Sequence, residues 1–345
     1  MTIKIAVIGA GGWGTAMAGM LGQKHQDVVL WARNSELVNS LITTRENKRY
    51  LPGVILPSTL SYTNNLEEAV LNADFIVIAT PSHAVRHTTE QLSKVISRHT
   101  IVISAAKGLE LGSLKRMSEV IADVIPWGTD RVAAISGPNH AEEVGLKHPS
   151  ASVVASLCST AAEKVQDIFI TPYFRVYTNP DLIGVEMGGA LKNIIALGAG
   201  IAEGLGFGDN TKAALMTRGI AEIARLGTAM GATTSTFAGL SGIGDLMVTC
   251  ASRHSRNRRA GILLAQGKTI NQIEAESNMV VEGIRATLAA RQLAEKYKID
   301  MPIVEQTYQV MYENKPPKEA VYELMARGRT HEVEEVAINC SNWKF

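Results

Sequence analysis

Short, nearly continuous runs of apolar, mostly β-branched residues recur through the first half of the chain: Ile3-Lys4-Ile5-Ala6-Val7-Ile8, Asp27 to Trp31, Asp74 to Ala79, Thr100 to Ser104 and Arg131 to Ser136. Half-exposed strands would alternate apolar with polar residues, so these runs predict strands covered on both faces of a parallel sheet. Helix-length patterns separate them, which makes this half a doubly wound, Rossmann-like α/β unit. Ala151 to Ala155 and Phe174 to Tyr177 extend the same sheet. From about Pro180 the period changes to that of helices, rich in alanine, at 181–203, 209–230, 256–266, 283–297, 302–313 and 317–326. The pattern predicts a Rossmann-like domain over 1–190 and an all-helical domain over 191–345. No Pro/Ser-rich spacer separates them, so the boundary is expected inside a helix. The last dozen residues read as a loosely held tail.

Composition narrows the class. At about 150 residues per domain, 345 residues suit two domains. A chain with 46% hydrophobic and 19% charged residues is globular. Lys plus Arg number 34 against 33 Asp plus Glu, so the net charge of +1 gives no overall field for a polyanion, and any anion site must be local. Cys158, Cys250 and Cys340 form no CxxC, which fits a reducing compartment without disulfides or a Cys-bound metal. Ile5 to Gln23 is uncharged and follows Lys4, as a signal segment would, but six of its 19 residues are glycine. The next uncharged run, Gly227 to Gly244, is mostly Gly, Ser, Thr and Ala, so no membrane insertion is expected and a cytoplasmic setting is.

Candidate chemistry begins where the first strand ends. Gly9-Ala10-Gly11-Gly12-Trp13-Gly14 is a GxGxxG between a strand and a helix. Gly9 allows the tight turn, Gly11 lets a pyrophosphate approach the backbone, and Gly14 lets the helix pack on the strand, while the helix start supplies N–H groups. At the end of the second strand, where an NAD site usually carries a carboxylate, the chain reads Trp31-Ala32-Arg33-Asn34. An arginine there favours the 2′-phosphate of NADP, with NAD as the alternative.

Other polar residues stand out against their surroundings. Lys107 follows the strand Ile101 to Ser104, at the sheet edge where open α/β folds hold ligands. Lys192 lies in Gly188-Gly189-Ala190-Leu191-Lys192-Asn193-Ile194-Ile195, a helix with almost no other charge; burial would lower its pKa toward the range of proton transfer. Asp245, alone in Gly242-Ile243-Gly244-Asp245-Leu246, is either a helix N-cap or the partner of a buried ammonium. Ser255 caps a helix running to Gln266, making Ser255-Arg256-Asn257 a candidate anion pocket. The surrounding basic cluster, Arg253 to Arg259, lacks the aromatic interleaving of a nucleic-acid surface. His83 and His87 share a helix face without a third ligand, so no metal site is expected.

Taken with Ser136-Gly137-Pro138 and Val281-Glu282-Gly283, these motifs closely resemble bacterial NAD(P)-dependent glycerol-3-phosphate dehydrogenases over about residues 3–330. The resemblance implies reduction of dihydroxyacetone phosphate to sn-glycerol 3-phosphate for glycerophospholipid synthesis, in a cytoplasmic homodimer. By motif match it implies Lys192 as the proton-transferring group, with Lys107 and Asp245 in the same catalytic set. Gly137, Asn139, Asp245, Ser255, Arg256 and Asn257 join both lysines on substrate positions. Gly12, Trp13, Arg33, Lys107, Ala141, Arg256, Val280 and Glu282 fall on cofactor positions, beside Gly9, Gly11 and Gly14. Two positions depart from the family: Gly12 stands where serine is frequent, and Asn139-His140 replaces Thr-Phe or Ser-His. The rival readings are a 3-hydroxyacid or 6-phosphogluconate type dehydrogenase, against which Ser255-Arg256-Asn257 argues, and a non-catalytic NADP sensor, which needs no Lys107, Lys192 and Asp245 together.

Overall fold

The computed structural model describes residues 2–125, 127–276, 280–329 and 331–332; the expected tail lies outside them. Among the described residues ten strands form: β1 (Lys4–Ile8), β2 (Asp27–Trp31), β3 (Glu46–Asn47), β4 (Leu51–Ile55), β5 (Leu60–Thr63), β6 (Phe75–Ile78), β7 (Ile101–Ser104), β8 (Val132–Ser136), β9 (Ser150–Ser156) and β10 (Phe174–Asn179). Eight make one sheet in the order β10-β9-β8-β7-β6-β1-β2-β5, and β3 pairs with β4 apart from it. All its pairings are parallel except β8 with β9. The sheet was expected to be parallel throughout, but continuous apolar character reports burial and carries no information on direction.

Within this half lie α1 (Gly12–Lys24), α2 (Ser35–Thr44), α3 (Leu66–Val70), α4 (Val85–Leu92), α5 (Met117–Val124), α6 (Ala141–Gly145) and α7 (Ser159–Phe169). Strand periodicity divides them between two cores. Ile5 and Val7 of β1 point to the layer containing α1 and α7, whereas Ala6 and Ile8 point to the layer of α3, α4 and α5. Both faces are thereby covered, as the continuous runs require.

The helical half comprises α8 (Leu182–Gly204), α9 (Asp209–Ala229), α10 (Asp245–Ala251), α11 (Arg256–Ala265), α12 (Ile270–Glu276), α13 (Glu282–Tyr297), α14 (Pro302–Tyr312) and α15 (Pro317–Met325). Residue 190 falls within α8. By length and composition α8 could cross a membrane, but 89% of its apolar window is buried inside the protein, so it is the central core helix. Asp181 caps it, accepting from Gly184 N at 2.8 Å. Glycines bring α11 into backbone contact with α8: a Cβ on Gly200 would lie 2.0 Å from Arg258 O, and one on Gly261 2.1 Å from Leu197 O. Bidentate pairing of Arg258 with Glu203, with Nε to Oε2 at 2.8 Å, fastens the same crossing.

Candidate active site

The glycine turn has the shape a dinucleotide requires. Gly9 adopts φ +113°, and a Cβ on Gly14 would lie 1.9 Å from Gly9 O, so only glycine permits this packing of helix on turn. A Cβ on Gly11 would meet nothing within 4 Å, which leaves open space over the turn. No side chain caps the start of α1 and its first turn holds no acid, so its N–H groups are available to an anion. Trp13 Nε1 is buried without a hydrogen-bond partner among the described residues. A hydroxymethyl at Gly12 has little room, since a Cβ there would lie 2.8 Å from Tyr50 O; the loss of the frequent serine accompanies a close approach of this main chain. Arg33 is exposed at the end of β2, and the next residue, Asn34, caps α2 by accepting from Leu37 N at 2.9 Å.

Beside the carboxyl ends of β7 and β8 the structure brings three separate motifs together. Lys107 Nζ donates to Asp245 Oδ2 at 2.6 Å and to Gly137 O at 2.8 Å. Lys192 Nζ donates to Asp245 Oδ1 and to Thr249 Oγ1, the latter at 2.6 Å. Asp245, 1% exposed, is therefore one carboxylate shared by two ammonium groups. Of the two roles open to Asp245 the structure selects the ion partner: it is the first residue of α10, and Gly244 holds the cap position. Two glycines let α8 present its lysine here. A Cβ on Gly188 would lie 2.6 Å from Ser241 O, and one on Gly189 2.7 Å from Ser136 Oγ.

Electrostatics follow from burial. Desolvation pushes the Lys192 ammonium down to about 8, only partly offset by Asp245, while Lys107 adds repulsion. That places about 3 kcal/mol against the charged form relative to water. Burial pushes the Asp245 carboxyl up, but the two lysines outweigh it and hold it below the ordinary range. Ion pairing thus keeps a proton on Lys192 near neutrality without making it hard to release.

The start of α11 forms the second part of the site. Ser255 Oγ caps it, accepting from Arg258 N at 3.2 Å. Arg256 is exposed and donates from Nη1 to Val280 O at 3.1 Å. Asn257 is buried: Nδ2 donates to Asn193 Oδ1 at 2.8 Å, and Oδ1 accepts from Gly283 N at 2.9 Å. Its amide therefore ties α8 to α13, whereas the sequence reading aimed it at an anion. Asn139 is likewise engaged, donating to Ala151 O at 2.9 Å and accepting from Ser152 Oγ at 2.6 Å. Gly137 has φ +145°, and a Cβ there would meet Ala151 O at 3.0 Å. Ala141 opens α6, where its Cβ lies 3.5 Å from an ideal Cβ on Gly12. Glu282 accepts from Ser82 N at 3.1 Å and from Ser82 Oγ at 2.7 Å.

Three participants were missed by the sequence reading. Thr249 lies one helical turn beyond Asp245, Asn193 adjoins Lys192, and His140 keeps Nε2 buried and unpartnered. The i, i+4 spacing of Asp245 and Thr249 could have revealed Thr249 had α10 been recognised. Its Gly/apolar lead-in concealed it.

Comparison with known proteins bears on this arrangement as a whole. The family model for the NAD-dependent glycerol-3-phosphate dehydrogenase N-terminus matches residues 4–162, and that for the C-terminus matches residues 181–322. The chain belongs to the NAD-dependent glycerol-3-phosphate dehydrogenase family. A member from Moorella thermoacetica, named glycerol-3-phosphate dehydrogenase, NAD(P)+, is 57% identical over 334 residues, covering 97% of this chain and 99% of its own. One from Pelotomaculum thermopropionicum with the same name is 54% identical over 339 residues, covering 98% and 97%. The crystal structure of glycerol-3-phosphate dehydrogenase from Coxiella burnetii superposes with a TM-score of 0.90 at 36% identity, covering 94% of this chain and 99% of that one. The resemblance stated from the motifs and the Rossmann-plus-helical fold class are thus both borne out. This dehydrogenase family works with NAD(P), and the glycine turn at α1 fits such a cofactor.

Proposed function

We propose that this chain reduces dihydroxyacetone phosphate to sn-glycerol 3-phosphate with NAD(P)H, supplying glycerophospholipid synthesis. The observation that carries the reading is the sharing of buried Asp245 between Lys192 and Lys107 at the ligand edge of the sheet. NAD(P)H supplies the hydride for the ketone carbon when bound. Lys192 delivers a proton to the ketone oxygen, where an unprotonated alkoxide would be costly, and its ammonium stabilises the growing charge before transfer. In the reverse direction the neutral amine of Lys192 takes that proton back. Asp245 holds Lys192 charged and in line. Lys107, tethered to Gly137 O, orients the substrate.

The remaining residues divide between two anchors. The first turn of α1, with Gly9, Gly11, Gly12, Trp13 and Gly14, is assigned to the cofactor's pyrophosphate, and Arg33 to a 2′-phosphate that NADP has and NAD lacks. Ala141, Val280 and Glu282 complete that side. Arg256, with Ser255 and the opening turn of α11, is assigned to the substrate phosphate, because a dianion calls for a fixed and always-charged donor. Gly137, Asn139 and Asn257 serve by holding the main chain around it, since both amides are already engaged within the protein. A division into a cofactor unit, 1–190, and a substrate unit, 191–345, a homodimeric state and a cytoplasmic setting belong to the same proposal through the family likeness.

The test is NADPH consumption with dihydroxyacetone phosphate, run beside oxidation of 6-phosphogluconate and of 3-hydroxyacids. Turnover confined to the three-carbon ketone phosphate supports the reading. Turnover of either alternative without it overturns the reading.

A further inference from the structure

His140 lies in the connection from β8 to α6, two residues ahead of Glu142. Its ring centroid is 5.9 Å from that of His254, tilted by 50°. His254 immediately precedes Ser255 and Arg256. Its Nδ1 is 3.8 Å from Glu142 Oε1, and its Nε2 accepts from Arg253 Nε at 3.5 Å. Its own N–H donates to Ser252 Oγ at 3.1 Å. His140 of the connection and Glu142 in the first turn of α6 therefore hold a single imidazole at the entrance to α11. His140 Nε2, buried, has no hydrogen-bond partner among the described residues. Burial, and then the Lys192 ammonium, hold this imidazole below its ordinary pKa; a hydrogen bond to the Val248 main chain and Glu142 oppose them, and Lys107 acts with them. The ring is thus a neutral plate, held by packing and by a hydrogen bond to the Val248 main chain.

We propose that His140 is a positioning residue for the phosphate subsite: packed on His254, its ring sets the separation between the 137–142 connection and the start of α11. The inference rests on Arg256 being the phosphate anchor. If segment 253–256 slips away from the sheet, Arg256 and the helix start lose their aim at the phosphate while Lys192, on α8, keeps its place. A benzene ring in place of the imidazole keeps the ring contact with His254 and gives up only the hydrogen bond to the Val248 main chain.

The experiment compares His140→Ala, His140→Phe and Arg256→Ala in the full chain, with dihydroxyacetone phosphate and with unphosphorylated dihydroxyacetone. His140→Ala is expected to raise KM for the phosphorylated ketone about tenfold with kcat held within about threefold, and to change kcat/KM for the unphosphorylated ketone by less than about twofold. His140→Phe restores KM. The proposal is overturned if His140→Ala leaves the phosphorylated KM unchanged, if both ketones suffer equally, or if His140→Phe is as impaired as His140→Ala. Arg256→Ala separates the underlying reading: should it keep the preference for the phosphorylated ketone, the anchor lies elsewhere and the reading fails whatever His140 does.

Discussion

Replacing Asp245 by Asn keeps the shape of the shared group and removes its charge, leaving Lys192 and Lys107 without the carboxylate that joins them. Breaking a buried ion pair costs about 3–5 kcal/mol, and the lower end alone weakens proton affinity at Lys192 by about two powers of ten. With the native ammonium titrating at about 8, it is about 90% charged at pH 7, and the variant's would be about 10% charged. If reduction requires the ammonium, the ratio of native to variant kcat/KM should be about twofold at pH 6, tenfold at pH 7 and fiftyfold at pH 8. Initial rates of NADPH oxidation across that range measure it, with thermal melts confirming that the variant folds. A ratio that stays constant with pH would refute the reasoning, because Asp245 would then be aiming Lys192 without sustaining its charge.

Lys192→Ala should lower kcat by about 10²-fold or more, the scale of lost general acid catalysis, with the NADPH dissociation constant nearly unchanged by fluorescence titration. In the unmodified enzyme, kcat/KM for reduction should fall as pH rises through about 8, where Lys192 loses its proton, while that for glycerol 3-phosphate oxidation rises over the same interval; parallel pH profiles check the opposite signs. Arg256→Ala should cost at least about 2 kcal/mol in transition-state binding, about thirtyfold in kcat/KM for dihydroxyacetone phosphate. Arg33→Asp should turn a preference for NADPH into one for NADH, measured as the ratio of kcat/KM for the two; an unchanged ratio would leave Arg33 a surface charge.

Legibility in the sequence followed local regularity. The seven strands and the six helices read from the pattern all form, shifted by a residue or two at their ends, because each carries enough apolar residues in its own period to need only apolar neighbours; β10, at the sheet edge, keeps one face exposed. β3, β4 and β5 were missed: Glu46–Asn47 is only two residues long, Leu51-Pro52-Gly53-Val54-Ile55 contains both punctuating residues, and Leu60–Thr63 is a four-residue edge strand exposed on one side. α10 and α12, at seven residues each, are too short for helical period to register, and the turn over Leu240–Gly244 contains Gly242 at φ −93°, ψ −106°. Within the site, Lys107, Lys192 and Asp245 stood out because charges in apolar company need a reason. Their sharing of one carboxylate could not be read, since 138 positions separate Lys107 from Asp245 and only the fold closes that distance. Asn139 and Asn257 show the opposite: their residue type suits ligand binding, yet both amides hold other parts of the chain.

The crossing of α8 and α11 joins the helices that carry two parts of the candidate site. Lys192 is carried by α8 and Arg256 by α11, and where these helices meet, Gly200 and Gly261 put main chain against main chain. Side-chain layers yield by changing rotamer, but a backbone contact has no such slack. The bodies of the two helices are therefore held at one separation, and any change of spacing at the site falls to the first turn of α11 and to side chains. Under the roles proposed for Lys192 and Arg256, that crossing is a rigid backing for telling ketone phosphates apart by length, set by two residues that have no side chain to offer a ligand.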